Sequence, residues 1–94
     1  VTSLLVEGPE GRRSLPVAGV FAAVGLVPDN QVFSPPLELD GAGYIVAGED
    51  TCTNVPGVFA AGDTRVKDLR QLVTAAADGA SAAAQAGRYL QSAQ

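Results

Sequence analysis

One stretch of the sequence constrains the fold more than any other: Thr53–Asp63, which reads TNVPGVFAAGD. A turn opens it, because Pro56 presets φ at the first central position of a turn and Gly57 tolerates a positive φ at the second. The apolar run Val58–Ala61 is too short for a helix and is bounded by turn residues. It therefore predicts a short buried strand of a parallel or sandwiched sheet.

Gly62 and Asp63 follow directly where that predicted strand ends. In open α/β sheets, ligands bind beyond the C-terminal ends of the strands. A glycine there lets a ligand approach the backbone, and a carboxylate can accept hydrogen bonds from two neighbouring hydroxyls. The pair favours a polyhydroxylated ligand, and the alternative is an ordinary turn or helix N-cap aspartate.

The spacing in this stretch also carries a family resemblance. The pattern T-x-x-x-x-h-h-x-x-G-D, with h apolar, resembles the second FAD-binding motif of flavoprotein disulfide reductases that have two dinucleotide-binding domains. The following segment, Thr64–Gly79, is similar to the C-terminal segment of low-molecular-weight bacterial thioredoxin reductases. In that family an Arg-Gln pair, here Arg70–Gln71, opens the last helix beside the flavin.

The resemblance implies roles for five residues at this end of the chain. Asp63, with Gly62 beside it, would bind the ribitol hydroxyls of FAD. Arg70, Gln71 and Leu72 would form the first turn of the last helix, where amide N–H groups have no intrahelical partners. The amides of Gln71 and Leu72 are expected to donate to the flavin O2 carbonyl. The alternative for these residues is a solvated first turn without a ligand.

A second glycine-terminated apolar run, Val17–Gly25, predicts another buried strand. The residues Gly25–Asp29 resemble the crossover at which the family's chain leaves its NAD(P)H domain and re-enters its FAD domain. On this reading residues 1–26 end the NAD(P)H-binding domain, residues 27–94 form the C-terminal part of the FAD-binding domain, and Gly25 belongs to the cofactor site. The alternative is simply a buried strand followed by a proline turn.

The remaining patterns complete an α/β chain. Residues 1–6 predict a strand that residues 12–16 could join as a hairpin, and residues 30–37 hold at most one helical turn. Residues 37–40 and 44–47 predict a small β-meander around a glycine turn.

Residues 69–90 predict one long C-terminal helix capped by Asp68. Its small-residue face is expected to be covered: Leu72, Val73, Ala76, Ala80, Ala83 and Ala84. The expected fold is an incomplete part of a two-domain, Rossmann-like FAD/NAD(P)-binding fold.

Composition excludes several classes of function. The net charge of −4 and the lack of a basic cluster argue against nucleic acid as a partner. No apolar run approaches the roughly eighteen residues that would span a membrane. Cys52 is the only cysteine, so we expect it to be inert, and we assign no catalytic residue and no metal ligand.

The resemblance implies an enzyme that passes electrons from NADPH through FAD to the disulfide of thioredoxin or a similar redox protein, as a cytoplasmic homodimer. The chain contains no G-x-G-x-x-G and no Met. We therefore expect a segment of a longer polypeptide that is inactive alone, with NADPH bound mainly by other parts. Two alternatives stay open: a ferredoxin-linked or alkyl hydroperoxide reductase type relative that lacks the redox cysteine pair, or a non-catalytic association module.

Overall fold

The computed structural model describes all residues from 1 to 94 and opens with a β-hairpin. Strand β1 (Ser3–Gly8) pairs antiparallel with strand β2 (Gly11–Pro16), with Ser3 opposite Pro16 and Gly8 opposite Gly11. Gly11 adopts a φ of +103°, which glycine reaches without a Cβ penalty. The predicted first strand and its returning partner are confirmed.

The predicted buried strand at residues 17–25 is wrong. No regular element forms between Pro16 and the 3-10 turn at Gln31–Phe33, and the side chain of Phe21 is fully exposed. A strand needs a neighbour for its backbone hydrogen bonds and a surface that covers its apolar side chains. This chain supplies neither here, so the segment forms no regular element and its apolar side chains are largely uncovered.

The second half of the chain is organised around a small core. Four apolar side chains are buried, and Leu39 and Val55 pack against them; the four are Leu37, Ile45, Ala47 and Ala60. The predicted meander is present only as an isolated antiparallel bridge between Leu39 and Ile45. Ile45 also forms a parallel bridge with Arg65, which ties the meander to the segment after the Gly-Asp motif.

The apolar run Val58–Ala61 is extended but is not the buried strand that its composition predicts. It pairs on one side with the preceding segment, through a bridge between Phe59 and Cys52 and a 2.9 Å hydrogen bond from the Ala60 N–H to the Thr51 carbonyl. Ala60 is buried, whereas Val58 is 38% exposed. A single bridge gives no sheet, because no second strand lies alongside.

The long C-terminal helix α1 (Leu72–Ser92) is confirmed, but it begins later than the sequence indicates. Gln71, not Asp68, is the N-cap. The Gln71 N–H donates to the hydroxyl of Thr74 at 3.0 Å, and such a bond from the N-cap to the third helical residue is one half of a capping box. The Thr74 hydroxyl thus fixes the first residue of the helix.

The helix turns a different face toward the chain than the one that was predicted. The residues that it buries or half-buries recur at helical spacing and are small or polar: Thr74, Ala75, Asp78, Ser81, Ala82, Gln85 and Ala86. The predicted small-residue face is exposed in this chain, and no atom lies within 4 Å of a Cβ built on Gly79. Near the end of the helix, the Tyr89 ring meets Phe59 edge-on, with 6.4 Å between ring centroids.

The hairpin and the second half do not share a core. The molecule extends 65 × 26 × 21 Å, and its radius of gyration is 19.6 Å. A compact domain of this length would have a radius of gyration of roughly 12 Å. None of the helices combines the length and the apolar character that crossing a membrane requires.

Candidate functional site

A cavity of about 340 Å³ opens where the segment before the 3-10 turn meets the loop that follows the Gly-Asp motif. Its walls combine apolar side chains with a carboxylate and a guanidinium; they are Leu26, Val27, Pro28, Tyr44, Asp63, Thr64 and Arg70. The structure therefore brings together two of the residues that the sequence pointed to, Asp63 and Arg70.

Asp63 presents a free carboxylate at this cavity. Its side chain is exposed, and neither carboxylate oxygen accepts a hydrogen bond from the chain. Its backbone carbonyl is occupied, because it accepts a 3.0 Å hydrogen bond from the Arg70 Nε. The carboxylate can therefore accept hydrogen bonds from ligand hydroxyls, while the backbone beneath it is held in place.

Arg70 closes the loop between Asp63 and the start of α1. Its guanidinium stacks over the ring of Tyr44, 3.7 Å from the ring centroid. Its Nε and Nη2 donate to the carbonyls of Asp63 and Arg65, the second at 3.1 Å. A guanidinium with these partners and a cation–π contact is fixed in position. Within this chain Arg70 shapes the wall of the cavity.

Gly62 allows the Gly-Asp motif to lie against α1. It adopts a φ of +86°, and a Cβ built on it would lie 3.7 Å from the Cβ of Ala75 in the first turn of the helix. Its N–H donates to an oxygen of Asp78 at 2.8 Å. The positive φ is the reason that a glycine is needed at this position.

The helix start differs in detail from the sequence expectation. The Gln71 N–H donates to the Thr74 hydroxyl, so the expectation that this amide has no partner within the helix is wrong. The N–H groups of Leu72 and Val73 have no acceptor in the chain and are the free donors of the first turn. Neither Gln71 nor Leu72 lines the cavity, and neither does Gly25, although Leu26 directly after it does.

A buried ion network under the motif was not found from the sequence. Arg65 is 1% exposed, and its Nε and Nη2 donate to the two carboxylate oxygens of Asp78, each at 2.8 Å. Lys67 adds a third charged contact, from Nζ to the same carboxylate at 2.8 Å. The Arg65 Nη1 donates to the carbonyls of Val66 and Ala47, at 2.8 and 3.4 Å, and Nη2 also donates to the exposed carboxylate of Glu49 at 3.1 Å.

The network shifts both titrations in the direction that stabilises the charged pair. The guanidinium of Arg65 and then the ammonium of Lys67 hold the pKa of Asp78 far below its usual range, and the carboxylate of Asp78 raises the pKa of Arg65. A signal for this network was present in the sequence: Asp78 is the only acidic residue in a helix otherwise rich in alanine.

Asn30 is a second residue that the sequence reading missed. Its side-chain amide donates to the carbonyls of Gly43 and Thr64, at 3.0 and 3.1 Å, and its oxygen accepts from the Thr64 hydroxyl. Asn30 is 5% exposed. It joins the meander turn to the residue directly after Asp63, so the loop is braced from this side as well.

Cys52 lies away from this site, in a groove beside the end of α1. Desolvation and then the neighbouring carboxylate of Asp50 raise the pKa of its thiol, which makes the thiolate less available. The chain contains no group of acidic, cysteine and histidine side chains that could hold a metal ion.

Comparison with known proteins gives consistent results. The family model for pyridine nucleotide-disulphide oxidoreductase matches residues 2–80. The chain is 55% identical over 73 residues to a thioredoxin reductase of Peptoclostridium acidaminophilum, covering 78% of this chain and 23% of that protein. It is 50% identical over 93 residues to the thioredoxin reductase of Listeria innocua, covering 97% of this chain and 29% of that protein.

Solved structures agree. The thioredoxin reductase of Lactococcus lactis matches with a TM-score of 0.74 and 35% identity over 97% of this chain and 31% of the other. That of T. acidophilum matches with a TM-score of 0.70 and 32% identity over 99% of this chain and 31% of the other. The hairpin and helix thus form part of a Rossmann-like α/β fold, and the chain spans less than a third of these relatives. The chain belongs to the pyridine nucleotide-disulphide oxidoreductase family.

Proposed function

We propose that this chain is the FAD-binding C-terminal segment of a thioredoxin-reductase-like flavoprotein, which passes electrons from NADPH through FAD to the disulfide of thioredoxin or a similar redox protein. The observation that carries the proposal is the Asp63 carboxylate, which is exposed, lacks a partner in the chain and lines a cavity beside the start of α1. The resemblance of the whole chain to named thioredoxin reductases supports the same function.

The residues present fit one end of FAD. The Asp63 carboxylate supplies acceptors for the ribitol hydroxyls, and charge-assisted hydrogen bonds of this kind are the stronger ones. The free N–H groups of Leu72 and Val73 supply donors at the positive end of the helix dipole, which favours an acceptor or an anion. When bound, FAD supplies the carrier for the two electrons of NADPH; these side chains and amides bind and orient it.

The rest of the cofactor chemistry belongs to other parts of the protein in this proposal. We assign residues 1–26 to the end of the NADPH-binding domain and residues 27–94 to the FAD-binding domain. The exposed apolar segment with Phe21 and Val24, and the exposed face of α1, are then covered by those other parts or by the second subunit of a homodimer. We propose a cytoplasmic location because an enzyme that uses NADPH to reduce the disulfide of a redox protein fits a reducing compartment.

The test is FAD binding by the complete flavoprotein and its Asp63→Ala variant. Loss of hydrogen bonds worth about 1.5–3 kcal/mol to a charged group weakens FAD binding by roughly 10- to 150-fold. Asp68→Ala is the matched control, because Asp68 is an exposed carboxylate in the same loop that makes no hydrogen bond or ion pair in the chain. Fluorescence titration of the apoprotein measures both affinities. An Asp63→Ala variant that keeps its FAD through dialysis would contradict the assignment.

Activity then separates the alternatives. NADPH oxidation coupled to reduction of thioredoxin supports the proposed function. Bound FAD with NADPH oxidation but no disulfide reduction indicates instead the relative without the redox cysteine pair. If the complete protein binds no flavin at all, the result favours the alternative of a non-catalytic association module.

A further inference from the structure

The carboxylate of Asp78 is almost fully buried on a helix face that is otherwise small or polar without charge. It accepts from four donors: the Gly62 N–H, the Nε and Nη2 of Arg65, and the Nζ of Lys67, each at 2.8 Å. These four donors are not among the FAD contacts proposed above, which are the Asp63 carboxylate and the N–H groups of Leu72 and Val73. Burying a charge costs free energy unless the charge is fully paired, so we ask what this buried and fully paired carboxylate does in the structure.

The bond from Gly62 connects Asp78 to the candidate site. The Gly62 N–H belongs to the peptide that joins Ala61 to Gly62, one peptide before the one that joins Gly62 to Asp63, and the buried carboxylate holds it on the helix side. On the other side, Arg70 holds the Asp63 carbonyl and the Arg65 carbonyl. The Arg65 N–H also donates to the Gly62 carbonyl, at 3.3 Å. The short turn from Gly62 to Arg65 is therefore fixed by backbone contacts at both ends.

The Asp63 side chain has no such support of its own, because its carboxylate has no partner in the chain. Its direction depends on the backbone turn from which it projects. Since three of the four bonds at Asp78 involve Gly62 and Arg65, the buried carboxylate ties both ends of that turn to α1.

We propose that Asp78 is a positioning residue for the cofactor: by holding the Gly62 peptide and Arg65 against α1, it orients the Asp63 carboxylate toward the ligand. The proposal rests on the proposed function of Asp63 as a FAD ligand. It differs from a purely stabilising role in one respect. A positioning role requires Asp63, so removing Asp63 must remove most of the effect of Asp78 on FAD binding.

The experiment is a double-mutant cycle in the complete flavoprotein, with Asp63→Ala, Asp78→Asn and the double variant. FAD affinity is measured by fluorescence titration of each apoprotein, and the thermal midpoint of each apoprotein is recorded in parallel. We expect Asp78→Asn to weaken FAD binding by about tenfold when Asp63 is present and less than twofold in the Asp63→Ala background, since residues that act together are not additive. Asp68→Asn makes the same change of charge at an exposed carboxylate in the loop before α1, and it is expected to leave the affinity within twofold.

Equal losses in both backgrounds, or no loss in either, would overturn the proposal. A normal affinity for FAD with a lowered thermal midpoint would also overturn it, because it would show a structural role alone. If Asp78→Asn does not fold, Lys67→Met replaces it: this variant removes one of the four donors, keeps Arg65 paired, and is expected to show a smaller loss that again disappears with Asp63→Ala. If the wild-type protein does not bind FAD, the proposed function itself is refuted. The outcomes above, by contrast, bear only on the role of Asp78.

Discussion

The buried pair of Arg65 and Asp78 gives the sharpest prediction of stability. The perturbation is Arg65→Met, which keeps an unbranched apolar stem but removes the guanidinium. Arg65 is 1% exposed and Asp78 is 5% exposed, so water cannot replace the lost bonds without opening the structure. The substitution also takes a donor from the carbonyl of Val66.

The magnitude follows from which partners remain. Removing one member of a buried ion pair costs about 3–5 kcal/mol, because the other charge stays buried. Asp78 keeps Lys67 and the Gly62 N–H, so we expect a loss near the lower end, about 3 kcal/mol. The matched control is Glu49→Gln, which removes the other carboxylate partner of Arg65. The Glu49 side chain is 91% exposed, so its pair contributes less than about 1 kcal/mol.

The assay is thermal unfolding of the complete flavoprotein without added FAD, at one protein concentration for all variants. In a domain of about 150–250 residues, each kcal/mol lowers the midpoint by roughly 2–4 °C, so Arg65→Met should lower it by about 6–12 °C. Glu49→Gln should lower it by less than about 4 °C. If the two variants unfold at the same temperature, the buried pair is not what stabilises the packing of the motif against α1.

Two further predictions concern the backbone and pH. Gly57→Ala should destabilise by about 1–2 kcal/mol from the left-handed backbone alone, and by more because the new Cβ would lie 2.8 Å from the Tyr89 ring. Adding Tyr89→Leu should recover the second part and not the first, and full recovery in thermal unfolding would contradict the backbone argument. Because the pKa of Asp78 is lower in the folded state, the unfolded state binds a proton at this carboxyl first as the pH falls. The stabilisation from the Asp78 carboxylate is therefore complete above about pH 5 and is lost as the pH falls below about 4. Asp78→Asn should flatten that acid limb of a stability profile, and an unchanged slope would refute the assignment.

The sequence by itself determined the features that depend on local backbone preferences and residue spacing. The turn at Pro56–Gly57, the hairpin from Ser3 to Pro16 and the existence of α1 all follow from φ preferences, strand-forming residues and helix propensity. The spacing from Thr53 to Asp63 was enough to indicate the family that the comparisons then showed. These are properties that a short stretch of chain carries with it wherever it is placed.

Tertiary structure alone decided what each apolar or charged stretch meets. The runs ending at Gly25 and Ala61 are apolar, but a run becomes a buried strand only when strands from elsewhere pair with it and a layer covers it. The same reason applies to α1, whose predicted face is exposed while the face with Asp78 turns inward. That choice depends on Arg65, thirteen residues earlier, reaching the same carboxylate as the Gly62 amide. The hydrophobic pattern indicates which side chains gain free energy when they are buried. Which surface buries them depends on residues that are distant in the chain.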